Sequence, residues 1–171
     1  MAKLPNSSHP CAAGGSPTIE RSMRIALYQP EIAQNVGAVL RLGACFGVAV
    51  DLIEPMGFAW DDKRVRRTAM DYIDAVEIIR HAGFVEFHAQ APGRLILLST
   101  KGTNSPYNFA FAPSDTLLLG KESAGVPPEV AASCDAIIRI PIRAEVRSLN
   151  LATAAALALG EALRQTGEFP Q

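Results

Sequence analysis

Most of the usual signatures of function are missing from this 171-residue chain. Its three cysteines, Cys11, Cys45 and Cys134, are odd in number and far apart, and they form neither a C-x-x-C pair nor a metal-type spacing with His9, His81 or His88. That pattern excludes a disulfide framework, offers no metal site and suits a reducing cytoplasm. The formal net charge is -1, so no overall basic field draws in a polyanion, and contact with nucleic acid has to come from a local patch. A membrane span needs roughly 20 apolar residues. The richest stretch, from Leu149 to Leu163, is interrupted by Asn150, Thr153 and Glu161 and reads as a buried helix, a core or dimer surface. Within it Gly160 costs about 1 kcal/mol against alanine, which predicts tight packing there. No G-x-G-x-x-G, G-x-x-x-x-G-K-[ST] or H-E-x-x-H occurs, which excludes dinucleotide, P-loop and zincin readings. Glu122-Ser123-Ala124-Gly125 approaches a nucleophile elbow, but Lys121 replaces its first glycine and no histidine follows Ser123, which argues against serine hydrolysis.

What is present is an ordinary globular composition, 49% hydrophobic and 19% charged, at a length that suits one domain. The first 22 residues lack apolar periodicity and are expected to form a flexible leader, with a single folded unit over 23–171 starting near Met23. Short apolar runs at Arg24 to Tyr28, Val48 to Ile53, Arg94 to Leu98, Thr116 to Leu119 and Ala136 to Ile140 read as buried strands. Helix-length segments lie between them. Val36, Val39, Leu40 and Gly43 share one helical face, with Asn35 as the expected cap and Gly47 as the stop, and Pro127 and Pro128 suit the first turn of another helix. The fold class is therefore α/β, a mainly parallel sheet flanked by helices.

Three motifs then stand out in order. Pro30-Glu31-Ile32-Ala33-Gln34-Asn35-Val36-Gly37, with Arg41 a little further along, is the first; Leu119-Gly120-Lys121-Glu122 through Gly125 is the second; Ile140-Pro141 with Ser148-Leu149-Asn150 is the third. Together they resemble the motifs of the SPOUT RNA 2′-O-methyltransferases, over about Met23 to Gly167. The segment from Glu54 to Arg64 further resembles the TrmL subgroup, which modifies the wobble nucleotide of tRNA. Gly160 departs from that subgroup, where an aromatic residue is frequent, and Val36 stands where threonine is common.

The resemblance implies a trefoil knot at the carboxyl end, a homodimer, S-adenosylmethionine as methyl donor and tRNA, with leucine isoacceptors foremost, as substrate. It implies a cofactor site of Leu98, Thr100, Gly102, Gly120, Glu122, Ile140, Ser148 and Leu149, and a reaction point surrounded by Asn35, Arg41, Ser148 and Asn150. Arg41 suits a phosphate clamp or an orienter of the ribose hydroxyl better than a base, because a guanidinium holds its proton up to a pKa of about 12 or more. Taken singly, Asn35 and Ser148 suit helix capping equally well, and Gly102 and Gly120 suit turn geometry. Lys63, Arg64, Arg66 and Arg67, beside Trp60 and Phe58, form one candidate RNA surface, although Asp61 and Asp62 weaken it; Arg143 and Arg147 form a second. With no separate RNA module in sight, both subunits of a dimer are expected to contribute to one tRNA site. The alternatives are a relative acting at another RNA position and an RNA-binding protein without turnover.

Overall fold

The structure, a computed structural model, describes residues 22–60 and 70–171. Among these, six strands, β1 (Arg24–Tyr28), β2 (Ala49–Ile53), β3 (Ile78–His81), β4 (Leu95–Leu98), β5 (Thr116–Leu119) and β6 (Ala136–Ile138), form one sheet in the order β3-β2-β1-β5-β4-β6. Every pairing is parallel, from Ile25 against Val50 and Leu117 in the middle to Leu97 against Ile137 near the edge. Parallel strands need crossovers, and helices α1 (Ala33–Phe46), α2 (Phe84–Gln90), α3 (Pro128–Ala132) and α4 (Leu151–Thr166) cover the sheet.

The alternation of side chains along each strand divides the core in two. Ile25, Leu27, Val50, Leu52, Ile96, Leu117 and Leu119 pack with Val36, Val39 and Leu40 of α1 and with Ala155, Ala158, Leu159, Ala162 and Leu163 of α4. Ala26, Tyr28, Ile53, Leu95, Leu97 and Leu118 pack with Phe87 of α2 and Val130 of α3 on the other face. Because both faces are covered, the central strands read as continuous apolar runs, which is why they are legible in sequence.

Several expectations need correction. The capping position of α1 belongs to Ile32, and Asn35 lies inside the first turn, leaving its amide free for tertiary contacts. Gly47 does end that helix, in the left-handed region at φ 67°. β6 stops at Ile138 rather than Ile140, because the Arg139 N–H donates to the Asn104 carbonyl and leaves the ladder. Gly160 is not tightly packed: a Cβ built there meets nothing within 4 Å. β3 was absent from the sequence reading, since a four-residue edge strand carrying Arg80 and His81 has no apolar run to announce it.

Asp51 of β2 is buried and receives two hydrogen bonds of 2.8 Å from the Arg24 guanidinium, while the His81 Nε2 lies 2.7 Å from Oδ1. This cluster joins β1, β2 and β3 on the side of the sheet away from the third motif.

Candidate functional site

The carboxyl ends of β4, β5 and β6 open into a cavity of about 880 Å³. In an open parallel sheet this is where connecting loops leave room for a ligand. Its wall includes Leu98, Ser99, Thr100, Gly120, Glu122, Ile140, Arg147, Ser148, Leu149 and Asn150. All three motifs therefore meet in one place, although about 115 residues separate Asn35 from Asn150.

A polar relay fixes that meeting. The Glu122 carboxylate accepts a 2.9 Å bond from the Glu31 N–H and another of 2.9 Å from the Asn35 amide, so the second motif holds the first through both of its oxygens. Asn35 in turn accepts from the Asn150 amide at 2.9 Å. The Asn150 side-chain oxygen Oδ1 caps α4, accepting from the N–H groups of Ala152 at 2.9 Å and Thr153 at 3.3 Å. Asparagine suits both middle positions because one side chain donates and accepts at once. Beside this relay Glu31 accepts from the Ser123 N–H and hydroxyl, both at 2.9 Å. The two Ser123 bonds hold its carboxyl below the ordinary carboxylate range, with Lys121 adding to the effect.

The second motif is shaped by close backbone approach. Lys121 and Gly125 exchange two backbone hydrogen bonds of 2.9 Å, and a Cβ on Gly120 would lie 2.4 Å from the Gly125 carbonyl carbon. Turn geometry thus explains Gly120, which also lines the cavity. Gly102 does not line it. A Cβ there would lie 2.6 Å from the Ile138 carbonyl carbon, so this glycine lets the loop after β4 cross the end of β6.

Among the other expected residues, Leu98, Thr100, Glu122, Ile140, Ser148 and Leu149 lie in the wall, and Ser148 is not the cap of α4. Arg41 is elsewhere, on the exposed face of α1 with its guanidinium 5.1 Å from the centre of the Tyr72 ring. Arg143 is also outside the wall and pairs with Glu145 at 3.5 Å, whereas Arg147 is in it. Lys63, Arg64, Arg66 and Arg67 lie outside the described residues. Sequence reasoning missed Lys101, Lys121 and Arg139, which line the cavity. Their signal was a lone cation inside each glycine-containing or apolar loop run. Burial, with Asp135 adding to it, pushes the Cys134 thiol up to about 11, which disfavours the thiolate at neutral pH. Among the described residues no group of acidic, histidine and cysteine side chains is arranged to hold a metal ion, and no helix is long and apolar enough to cross a membrane.

Comparison with known proteins places the chain beside RNA methyltransferases. Residues 22–160 match the SpoU rRNA Methylase family. A tRNA (cytidine(34)-2′-O)-methyltransferase of Beijerinckia indica is 53% identical over 146 residues, covering 84% of this chain and 91% of that protein. A solved structure described under structural insights into the 2-OH methylation of C/U34 on tRNA superposes with a TM-score of 0.81 at 40% identity, over 84% of this chain and 95% of the other. The SpoU methyltransferase AviRb of Streptomyces viridochromogenes, solved in complex with the cofactor AdoMet, gives a TM-score of 0.77 at 25% identity, over 87% of this chain and 62% of that one.

Proposed function

The chain belongs to the SpoU rRNA methylase family, and from that membership we propose that it transfers a methyl group from S-adenosylmethionine to the ribose 2′-hydroxyl of the wobble nucleotide, C34 or U34, of tRNA. The observation that carries this reading is the convergence of the three motifs on one cavity, pinned by the Glu122, Asn35 and Asn150 relay. The residues suit the donor: apolar Leu98, Ile140 and Leu149 offer surface to an adenine, while Ser99, Thr100 and neighbouring loop backbone offer polar partners to its edge and to the ribose. When bound, the donor supplies a sulfonium-activated methyl carbon, already electrophilic. What remains for the protein is to hold the acceptor oxygen in line and to exclude water, which is chiefly a matter of positioning.

In this reading Asn35, Ser148 and Asn150 orient the ribose at the rim of the cavity, and the relay keeps Asn35 and Asn150 from turning away. Arg41 acts as a clamp on RNA phosphate or on the hydroxyl. Its location outside the cavity of its own chain supports a homodimer, in which α1 of one subunit reaches the cavity of the other. The outward face of α4, with Thr153, Ala156 and Leu157 exposed beside the open Gly160, supports the same assembly, as does exposed Ile32. We extend the proposal to a trefoil knot in the carboxyl third, where the loops after β4 and β6 are laced by bonds from Ser99 to Ile138 and from Arg139 to Asn104. The enzyme is then cytoplasmic, where tRNA is modified.

Incubation with labelled S-adenosylmethionine and total tRNA, followed by mapping of ribose-methylated nucleotides, tests the proposal. Label at position 34, with leucine isoacceptors the expected targets, is the predicted result. Label only at another position, or donor binding without transfer, refutes it. Arg41→Ala is expected to lose most turnover while remaining dimeric in sedimentation.

A further inference from the structure

Among the described residues, four side-chain cations line the cavity: Lys101, Lys121, Arg139 and Arg147. None makes a side-chain hydrogen bond or ion pair with another described residue. The nearby carboxylates are fewer, and each accepts hydrogen bonds from other groups. Glu122, the one acidic residue in the described wall, is taken by the Glu31 N–H and the Asn35 amide, Glu31 by Ser123, and Glu145 by Arg143. Lys121 is moreover half-buried, within a turn closed by its own backbone bonds to Gly125. Glu31 still offers Lys121 some negative charge, yet four cations against Glu122 alone leave the described wall with a net positive charge, which favours an anion from outside the chain.

The methyl donor is not that anion. S-adenosylmethionine carries a sulfonium, an ammonium and one carboxylate, a net charge of +1, whereas S-adenosylhomocysteine is neutral overall. Resting on the methyl-transfer reading above, we propose that Lys101, Lys121 and Arg139 hold phosphates of the RNA strand beside the target nucleotide, and that this phosphate completes the site for the cationic donor. The excess of cations in the wall disfavours the donor, and RNA phosphate removes that repulsion. Coupling of this kind is reciprocal: bound donor tightens RNA by the same factor. Transfer forms a carbon–oxygen bond at the ribose, breaks the carbon–sulfur bond and releases the hydroxyl proton, leaving a neutral thioether. The charge that favoured RNA is then gone, and the product complex loosens.

The test is calorimetry of S-adenosylmethionine and S-adenosylhomocysteine into the full protein, with and without an anticodon stem-loop RNA carrying 2′-deoxyribose at position 34, which blocks transfer. The RNA is expected to tighten S-adenosylmethionine by about fivefold or more and S-adenosylhomocysteine by less than about twofold. In the triple variant K101M/K121M/R139M the coupling disappears, and the salt dependence of RNA binding falls by about 0.7 in log–log slope for each phosphate no longer held. Lys121→Arg keeps both. Equal tightening of the two ligands, or none, overturns the inference. So does a Lys121→Met variant that weakens both ligands in the absence of RNA, because the lysine then holds the amino-acid carboxylate they share. Absence of coupling in a wild type that still methylates tRNA refutes this inference alone, whereas a wild type that neither binds the donor nor modifies tRNA removes the underlying function as well.

Discussion

Replacing Glu122 with glutamine changes one atom and tests whether the relay assembles the cavity. Glu122 accepts on both oxygens, from the Glu31 N–H and from the Asn35 amide, each at 2.9 Å. A glutamine keeps one acceptor and turns an NH₂ group toward the other donor, whichever way its amide is oriented. Hydrogen bonds to a charged group are worth about 1.5–3 kcal/mol. Because Glu122 is only half-buried, the lower part of that range applies, and a loss of about 2 kcal/mol is expected. For a chain of this length that lowers Tm by about 4–8 °C. Turnover suffers more than stability, since a displacement near 1 Å at the reaction point costs on the order of 100-fold. Thermal melting and single-turnover methylation measure the two effects, and a double-mutant cycle with Asn35→Ala isolates the pair, which is expected to be non-additive by at least about 0.5 kcal/mol. A Glu122→Gln protein that melts within a degree of the wild type and methylates at full rate would falsify the claim that this carboxylate joins the first two motifs.

Three further outcomes follow from the same structure. Gly120→Ala places a methyl 2.4 Å from the Gly125 carbonyl carbon, so the turn has to shift; a loss of about 1–3 kcal/mol in urea unfolding and weaker donor binding by calorimetry are expected. Asp51→Ala strands the Arg24 guanidinium and buried His81 on the far side of the sheet, and is expected to lower unfolding free energy by about 3–5 kcal/mol while the remaining folded protein keeps its turnover. Glu161 is held at about 2 by hydrogen bonds from Arg164 and Gln165, against 4.5 for an ordinary glutamate. A depressed folded pKa contributes stability above the unfolded value that is lost as pH falls toward 2, so Glu161→Gln should flatten the acid limb of stability between about 4.5 and 2 in thermal melts, leaving neutral pH little changed.

Legibility in the sequence followed burial. β1 and β5 match their apolar runs at both ends, because strands covered on both faces are built mainly of apolar residues. β3 escaped, being an edge strand whose Arg80 and His81 find partners in Glu54 and Asp51. Asn35 shows the limit from another side: a polar residue near a helix start suits a cap by local logic, and only the approach of Glu122 and Asn150 gives it a different task. Lys121 was invisible for the same reason, since a cation in a loop is ordinary until the fold gathers it with Lys101, Arg139 and Arg147 in one wall.

Local chemistry written into the chain determined the α/β class, the central strands, the stop at Gly47 and the order of the three motifs, because apolar periodicity and turn-forming residues act over a few positions. Which side chains meet was decided by tertiary structure alone. The relay that spans about 115 residues, the displacement of Arg41 from its own cavity and the gathering of four cations at one mouth depend on parallel crossovers that bring distant loops to the same end of the sheet. No short-range pattern encodes that proximity, for contacts between remote loops are set by the packing of the elements that carry them.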